Sequence, residues 1–382
     1  VIIKGRWDLL NTGFLLGTLA LAMVLVPLEF GHSLVRWSEW VVFAVMLAAV
    51  GLGVTCGYHR LFSHRSYQAR WPVRLVLLCL GAASFENSAL QWASDHRIHH
   101  QYVDQGPDPY NSRKGFWYAH WVWVMEARTL PLAGVADLEK DPLVRWQHRH
   151  RFLIGAVTAA LLPVAVGLAT GNLAGHLVIG LLLRVVVTHH TTFFINSAAH
   201  FFGTQPYSDA HSGRDNAFLA PLTYGEGYHN YHHTWQWDYR NGVRWYHWDP
   251  AKWVIRGLSW VGLASGLRTV PAPVIRRARV RMEEKALLAR LAQAPPDAAA
   301  ALNTRVVAAR DRLDRALASL QEHREAWERR KADRKAHRKD AWAQRKAEWR
   351  QAMVQHKREF QLAWSDWQAT RTAVRRAAFA QV

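Results

Sequence analysis

Four stretches of this chain are too long and too apolar to be ordinary core helices. They run over about 9–27 (LLNTGFLLGTLALAMVLVP), 40–57 (WVVFAVMLAAVGLGVTCG), 152–169 and 177–195. A helix that crosses a bilayer needs roughly 20 mostly apolar residues, because no water is available there to satisfy an open backbone. The sequence therefore predicts an all-α integral membrane protein, multi-pass, with four transmembrane helices. Only TGNLAG and its flanks separate the last two, which predicts a tight helical hairpin. A fifth apolar stretch, Leu75–Leu90, is short and carries Glu86 and Asn87. It is expected to be a buried amphipathic or re-entrant helix. Histidine clusters flank it, at 59–64 and 96–100, and a crossing would strand them on opposite sides of the membrane. No cleavage site follows the first stretch, and the chain starts with Val1, so the natural start is expected upstream.

Half the residues are hydrophobic, yet the formal charge is +19. That combination suits a membrane protein with basic cytoplasmic parts. The loop Glu29–Glu39 has little positive charge, while the segments after the second and fourth stretches are basic. By the positive-inside tendency, both termini and the histidine clusters are cytoplasmic. Residues 58–151 and 196–273 are then expected on the cytoplasmic side. Cys56 and Cys79 are the only cysteines, too few for a disulfide framework or a zinc-thiolate site. Arg184 lies inside the fourth stretch, ~24 Å along a helix from His200. It is expected near the far surface, snorkelling or paired.

The histidines fall in four motifs: HRLFSH (His59, His64), HRIHH (His96, His99, His100), NSAAH (His200) and HNYHH (His229, His232, His233). Nine imidazoles at one membrane face repel one another if protonated; metal binding keeps them neutral and gives each a partner. Zinc takes three or four protein ligands, so nine suit two ions with four or five each. Imidazole accommodates Zn, Cu, Fe and Ni, and a redox-active pair with room for oxygen fits nine ligands better than zinc. The residues alone reach a dinuclear histidine centre and do not name the metal. Outside the motifs, His120, His148 and His150 are expected to be structural. His189 shares a helical face with Asn196 and His200.

These motifs, in this order, resemble the membrane-bound fatty acyl desaturases of the stearoyl-CoA, delta-9 type. The match continues through DPYNSRKGFWYAHWVW (108–123), NSAAHFFGTQPY (196–207) and GEGYHNYHHTWQWDYRNG (225–242), and covers roughly residues 1–273. The resemblance implies four spans under a cytosolic helical cap and a non-haem centre of two Fe ions. It implies an oxidoreductase that uses O2 and two external electrons to place a cis double bond in a saturated acyl chain carried as acyl-CoA. The nine motif histidines would be ligands, and Asn196 would hold a water on one iron. Asp95, Asp104, Asp108, Asp215 and Glu226 would be candidates to accept the outer imidazole N–H, two or three of them as true partners. Trp92, Trp117, Trp121 and Trp235 are candidate walls of a narrow acyl tunnel, with Phe43 and Leu47 closing its far end. Arg97, Arg113, Lys114 and Arg128 are candidate contacts for CoA phosphates. The segments ASDH (93–96) and EART (126–129) carry Ser94 and Ala127 where the acyl-CoA enzymes carry cations, which keeps phospholipid-linked and carrier-protein-linked chains open. A di-iron hydroxylase and a non-catalytic metal-containing scaffold are the rival readings. The chain has no HPGG haem box and no GxGxxG segment. Its electrons must come from a separate donor of cytochrome b5, ferredoxin or rubredoxin type with its reductase.

Beyond the resemblance, residues 274–382 hold 26 Lys and Arg against 13 Asp and Glu, which is +13 of the +19. AQAPPDAAA (292–300) reads as a linker. Leu313, Leu320 and Trp327, then Trp342 and Trp349, then Met353, Phe360 and Trp367 recur at near-heptad steps, predicting a helical hairpin or imperfect coiled coil. Such a basic tail suits anionic lipid head groups or an acidic electron donor; no nucleic-acid motif is present and no such partner is expected.

Overall fold

A computed structural model describes residues 7–32, 36–127, 131–293, 296–332 and 339–379. The chain divides into two compact units, 1–205 with 210–269, and 206–209 with 270–382.

In the first unit, four helices are long and apolar enough to cross a membrane. They are α1 (Leu9–His32); α2 (Trp37–Leu52), which continues as a π-helix over Gly53–Ser63; the long helix Pro142–Thr170; and the run Leu173–Phe201. Between the second and third lie α3 (Trp71–Ala82) and α4 (Ala89–Tyr102). The helix Pro142–Thr170 is α5, and the fourth run contains α6 (Arg184–Asn196). Asp141 caps α5 by accepting from the backbone of Leu143 and Val144, with Pro142 in the first turn, where its missing N–H costs nothing. Gly171, at φ +70°, closes α5 in the left-handed conformation and starts the turn to the fourth run.

The second and fourth spans run beyond their apolar windows. The sequence ends them at 57 and 195, whereas the helices continue to Ser63 and Phe201. His59 and His200 therefore sit on the spanning helices themselves.

The ambiguous fifth stretch, 75–90, is not one helix: it holds the end of α3, the turn 83–88 and the start of α4, and α3 itself has twelve residues or about 18 Å, too short to cross. It packs at backbone distance on α2. A Cβ at Gly53 would lie 2.6 Å from Leu80 Cβ and 2.7 Å from Gly81 N, and one at Gly81 would lie 2.4 Å from the Tyr58 ring. Small residues permit this approach where lipid offers no hydrophobic drive between helices. The open carbonyls at the α3 C-terminus receive side chains from the fourth span. Arg184 Nη1 donates to Ala83 O at 2.8 Å, and His189 Nε2 lies 2.8 Å from Ser84 O. Arg184 is fully buried and does not snorkel to the surface. Its cation is spent on the carbonyl end of a helix, where the macrodipole favours positive charge. The chain then turns at Ala83–Ser88 and returns as α4, so the clusters flanking α3 meet: His64 Nε2 and His96 Nε2 are 2.8 Å apart.

Among the shorter helices of this unit are α7 (His229–Thr234) and α8 (Pro250–Trp260). Strand β1 (Gln68–Ala69) pairs antiparallel with β2 (Ala264–Ser265). A core of Cys56, Tyr58, Phe62, Leu78, Ala93, Val144, Ala251 and Ile255 joins α2, α3, α4, α5 and α8.

The second unit holds α9 (Ala272–Leu291), α10 (Pro296–Ala332) and α11 (Lys339–Phe379). The expected α10–α11 pairing is present: Trp327 stacks on Trp342 at 5.1 Å and on Trp349 at 4.9 Å. A third helix joins it, because Val280, Leu287 and Leu291 give α9 an apolar stripe that packs with Leu313, Leu317, Trp367 and Val374. Trp367 Nε1 and Arg371 both donate to Glu283 across the bundle.

The α2–α3 contact predicts a sharp contrast between two glycines. Gly53→Ala should destabilise the protein by about 1–3 kcal/mol through overpacking. Gly13→Ala, with nothing within 4 Å of its Cβ, should leave stability unchanged or slightly raised. Thermal unfolding in nanodiscs reads both.

Candidate metal centre

The nine motif histidines come from four elements. His59 and His64 lie on and just after the π-helical end of α2, His96, His99 and His100 on α4, His200 at the end of the fourth span, and His229, His232 and His233 on α7. On α4 and α7 the spacing i, i+3, i+4 places each trio on one helical face. The structure gathers the nine into two groups. His59, His64, His96, His100 and His232 form one, and His99, His200, His229 and His233 the other, with ligand atoms of each group within 4.8 Å of one another.

The contacts inside each group run between Nε2 atoms. In the first, His59 is 3.0 Å from His232 and His232 is 2.9 Å from His100. In the second, His229 is 3.1 Å from both His200 and His233, and His99 is 3.3 Å from His233. One ring nitrogen cannot donate a single proton to two such neighbours. Four of the rings have their outer nitrogen engaged. His59 Nδ1 lies 3.2 Å from Glu226 and His99 Nδ1 2.8 Å from Asp108. His96 Nδ1 lies 2.9 Å from the Tyr110 hydroxyl, and His200 Nδ1 2.7 Å from Ser212 Oγ. With the proton on Nδ1, the inner Nε2 atoms present lone pairs to one another. A cation between them removes that repulsion. An ion held at roughly 2.0–2.1 Å by imidazole sets neighbouring nitrogens about 3 Å apart, which matches the contacts present. The donor set therefore fits one metal ion per group.

Of the five candidate carboxylates, Glu226 and Asp108 face an imidazole directly. Asp104 acts through a hydroxyl: Ser212 Oγ lies 2.5 Å from its Oδ1, and the Ser212 N–H donates to its Oδ2 at 2.7 Å. Asp215 accepts from the Tyr231 N–H at 3.0 Å and so fixes the start of α7. Asp95 accepts from Gln91 one turn back on α4. Tyr110, Ser212 and Arg60 were not singled out from the sequence. Arg60, fully buried, bridges Glu226 at 3.0 Å and Asp249 at 2.9 Å. Its position directly after His59 was the available signal. Gly225 and Gly227 bracket Glu226 because the backbone there touches its neighbours. A Cβ at Gly225 would meet Asp249 Cα at 2.8 Å, and one at Gly227 would meet Ala220 N at 2.5 Å.

A cavity of about 320 Å³ adjoins the first group. His59, His96, Trp92, Tyr110, Asn196, His189 and Glu226 line it, with Phe14, Phe85, Phe152 and Phe193 as its aromatic wall. Trp92 stacks on His96 at 4.7 Å. The other proposed tunnel residues lie outside this lining. Trp117 is exposed, Trp121 rests on His190, and Trp235 packs on Tyr231. Phe43 meets Trp40 edge-on and Leu47 is half-buried, because α2 buries the adjacent face of Val42, Met46 and Val50. The walls come instead from α1 and from the turn Phe85–Asn87, where Phe85 and Asn87 take φ of +59° and +77°.

Arg97 does not face the cavity either. It binds Asp137 and the carbonyls of Phe62 and Ser63. Arg113 and Lys114 are exposed on a short turn; Arg128 lies outside the described residues. His120 belongs to neither metal group, with Nδ1 2.9 Å from Ser197 Oγ and Nε2 3.0 Å from His190.

Burial, reinforced by neighbouring imidazoles, holds His64, His96, His100, His229, His232 and His233 well below the ordinary histidine value. Burial pushes Glu226 up, but His59 and Arg60 outweigh it and hold the carboxyl below its usual range. Each of these groups binds its proton more weakly folded than unfolded. The unfolded chain therefore takes up protons first as pH falls, and stability present at neutral pH is lost on acidification. In metal-free protein the unfolding midpoint should drop from about pH 7 to about pH 5, through the ordinary histidine range near 6.5. A flat profile in nanodiscs would contradict buried neutral imidazoles.

Comparison with known proteins agrees with this geometry. A family model described as fatty acid desaturase matches residues 36–259. A probable acyl-CoA desaturase of Schizosaccharomyces pombe is 44% identical over 255 residues, covering 65% of this chain and 53% of the relative. Acyl-CoA desaturase 1 of Saccharomyces cerevisiae is 43% identical over 248 residues, covering 64% and 49%. Human stearoyl-CoA desaturase 5 is 34% identical over 268 residues, covering 68% and 79%. The matched region spans about half the length of the two yeast relatives. The family match contains all nine histidines, and the chain belongs to the fatty acid desaturase family.

Proposed function

We propose that this chain is an O2-dependent desaturase that converts a saturated acyl chain, carried as acyl-CoA, into a cis-delta-9 monounsaturated product. Two irons would be held by the five-histidine and four-histidine groups. The observation that carries the reading is the convergence of nine imidazoles on two points, one of them beside a cavity with an aromatic wall. Family membership and the acyl-CoA desaturases among the relatives support it.

The net conversion removes two hydrogens from adjacent carbons. With O2, two electrons and two protons, it releases two waters. The irons supply the oxidising power for an unactivated C–H bond, which no side chain has. The remaining tasks belong to the chain. Trp92, stacked on His96, gives the acyl chain a flat wall next to the centre and restricts which carbon it presents. Phe14, Phe85, Phe152 and Phe193 give the slot an apolar wall for the acyl chain. Asn196, on the cavity four residues before His200, would hold a water on one of the ions. Glu226, Asp108 and the Ser212–Asp104 pair fix the imidazole tautomers. Burial pushes the Glu86 carboxyl up to about 7, so it can stand in the slot as a neutral acid beside Trp92 and Thr192.

Arg113 and Lys114 are the cations assigned to the acyl-CoA phosphates. The basic segments after the second and fourth spans support a cytoplasmic cap with both termini on that side. Electrons come from a separate donor protein, and the basic second unit offers surface for an acidic donor or anionic head groups.

Expression in a desaturase-deficient host should yield a new cis-monounsaturated fatty acid. His99→Ala and His232→Ala, one from each group, should each abolish it. A hydroxylated product would identify the related hydroxylase chemistry, and an alkene that survives either substitution would refute the ligand assignment. Asp108→Ala should weaken metal retention about 10–100-fold, read by metal analysis after a chelator challenge.

A further inference from the structure

One edge of the first unit is unusually aromatic for a surface in water. α8 buries Ala251, Lys252 and Ile255 against the core and turns Trp253, Val254, Trp260 and Val261 outward. Those four, at i, i+1, i+7 and i+8, occupy one side of the helix. Trp245, Tyr246 and Trp248 are exposed just before it. Contiguous exposed apolar surface of this kind marks a contact.

The helix is fastened at both ends to elements that enter the bilayer. At its start, Cys56 of the second span meets Ala251 O, and Arg60 pairs with its cap residue, Asp249. Just past its end, β2 pairs with β1, the Arg70 N–H donates to Leu263 O at 3.0 Å and Arg70 Nε to Gly262 O at 2.8 Å. That pairing brings Trp71, the first residue of α3 and 68% exposed, to the same edge as Trp260, 76% exposed. The aromatic face is thus tied through β1 and Arg70 to the start of α3.

We propose that α8 lies in the bilayer interface as a second, non-spanning membrane contact, with Trp253, Val254, Trp260, Val261 and Trp71 seated among lipid head groups and the first acyl carbons. Trp suits that depth because its ring is apolar and its N–H polar. An amphipathic helix binds there through buried apolar area. Arg256, exposed on the same helix, can extend to the phosphates. The occupant is the lipid surface of the membrane the protein already spans.

The full chain in phosphatidylcholine nanodiscs tests this, in a Cys79→Ser background with Cys56 left buried. A nitroxide at Trp260→Cys should collide more with O2 than with a water-soluble nickel chelate. One at Gly106→Cys, an exposed position with nothing within 4 Å of its Cβ, should show the reverse. Equal exposure of both labels to the chelate overturns the proposal. So does spin–spin broadening at 260 that disappears in single-copy discs, which would name a second copy as the occupant. In unmodified protein, a photoreactive phosphatidylcholine should label the peptide containing 250–261; absence of that label overturns the proposal independently of how the variants fold.

Discussion

Inward-facing lone pairs organise this protein. Imidazole nitrogens stand about 3 Å apart in a buried pocket, and the outer nitrogens of four rings are committed to Glu226, Asp108, Tyr110 and Ser212. Such an arrangement is strained without positive charge inside it, and the surrounding fold supplies the restraint. Arg60 cannot move without exposing Glu226 and Asp249 to one another, and Asp249 also caps α8 and accepts from the backbone of Asn241 and Gly242. The outer support of one imidazole is therefore part of the framework that joins α2 to α8.

The helices meet this demand by carrying ligands on their polar extensions. The second span changes to a π-helix at Gly53 and stays wide through Ser63. An extra residue in a helical turn rotates every later side chain about the axis. His59 is thereby presented to α7 while the apolar part of the same helix remains a span. Gly53, Gly57 and Gly81 let α3 lie against this widened segment, and α4 returns from that contact with three more ligands.

Much of this was legible in the residues. The apolar windows located four spans, because a bilayer leaves few alternatives for such stretches. The short fifth stretch was readable from a topological requirement, since His64 and His96 have to meet. Three helices in the tail unit were half visible: the Trp327, Trp342 and Trp349 repeat announced a pairing, while the stripe Val280, Leu287, Leu291 is too sparse to declare itself. The outer hydrogen-bond partners were harder. Ser212 and Tyr110 come from irregular loops with no period to reveal which side chain turns inward. The residues that line the cavity differ from those expected for a geometric reason. Phe43 and Leu47 were chosen by distance along α2, but a helix also imposes a facing, and theirs is one position round from Val42 and Met46. Arg97 looked like a phosphate contact by composition, yet unpaired carbonyls at the end of the π-helix claim it first.

The grip of Arg184 and His189 on the carbonyl end of α3 also bears on how the chain is built. Arg184 is 101 residues downstream of the carbonyl it satisfies. Until the fourth span is made, the Ala83 and Ser84 carbonyls at the end of α3 lack these donors, and only the last hydrophobic hairpin brings them. The final hairpin thus completes an earlier segment, and the end of α3 reaches its finished hydrogen bonding only once the whole helical unit has been made.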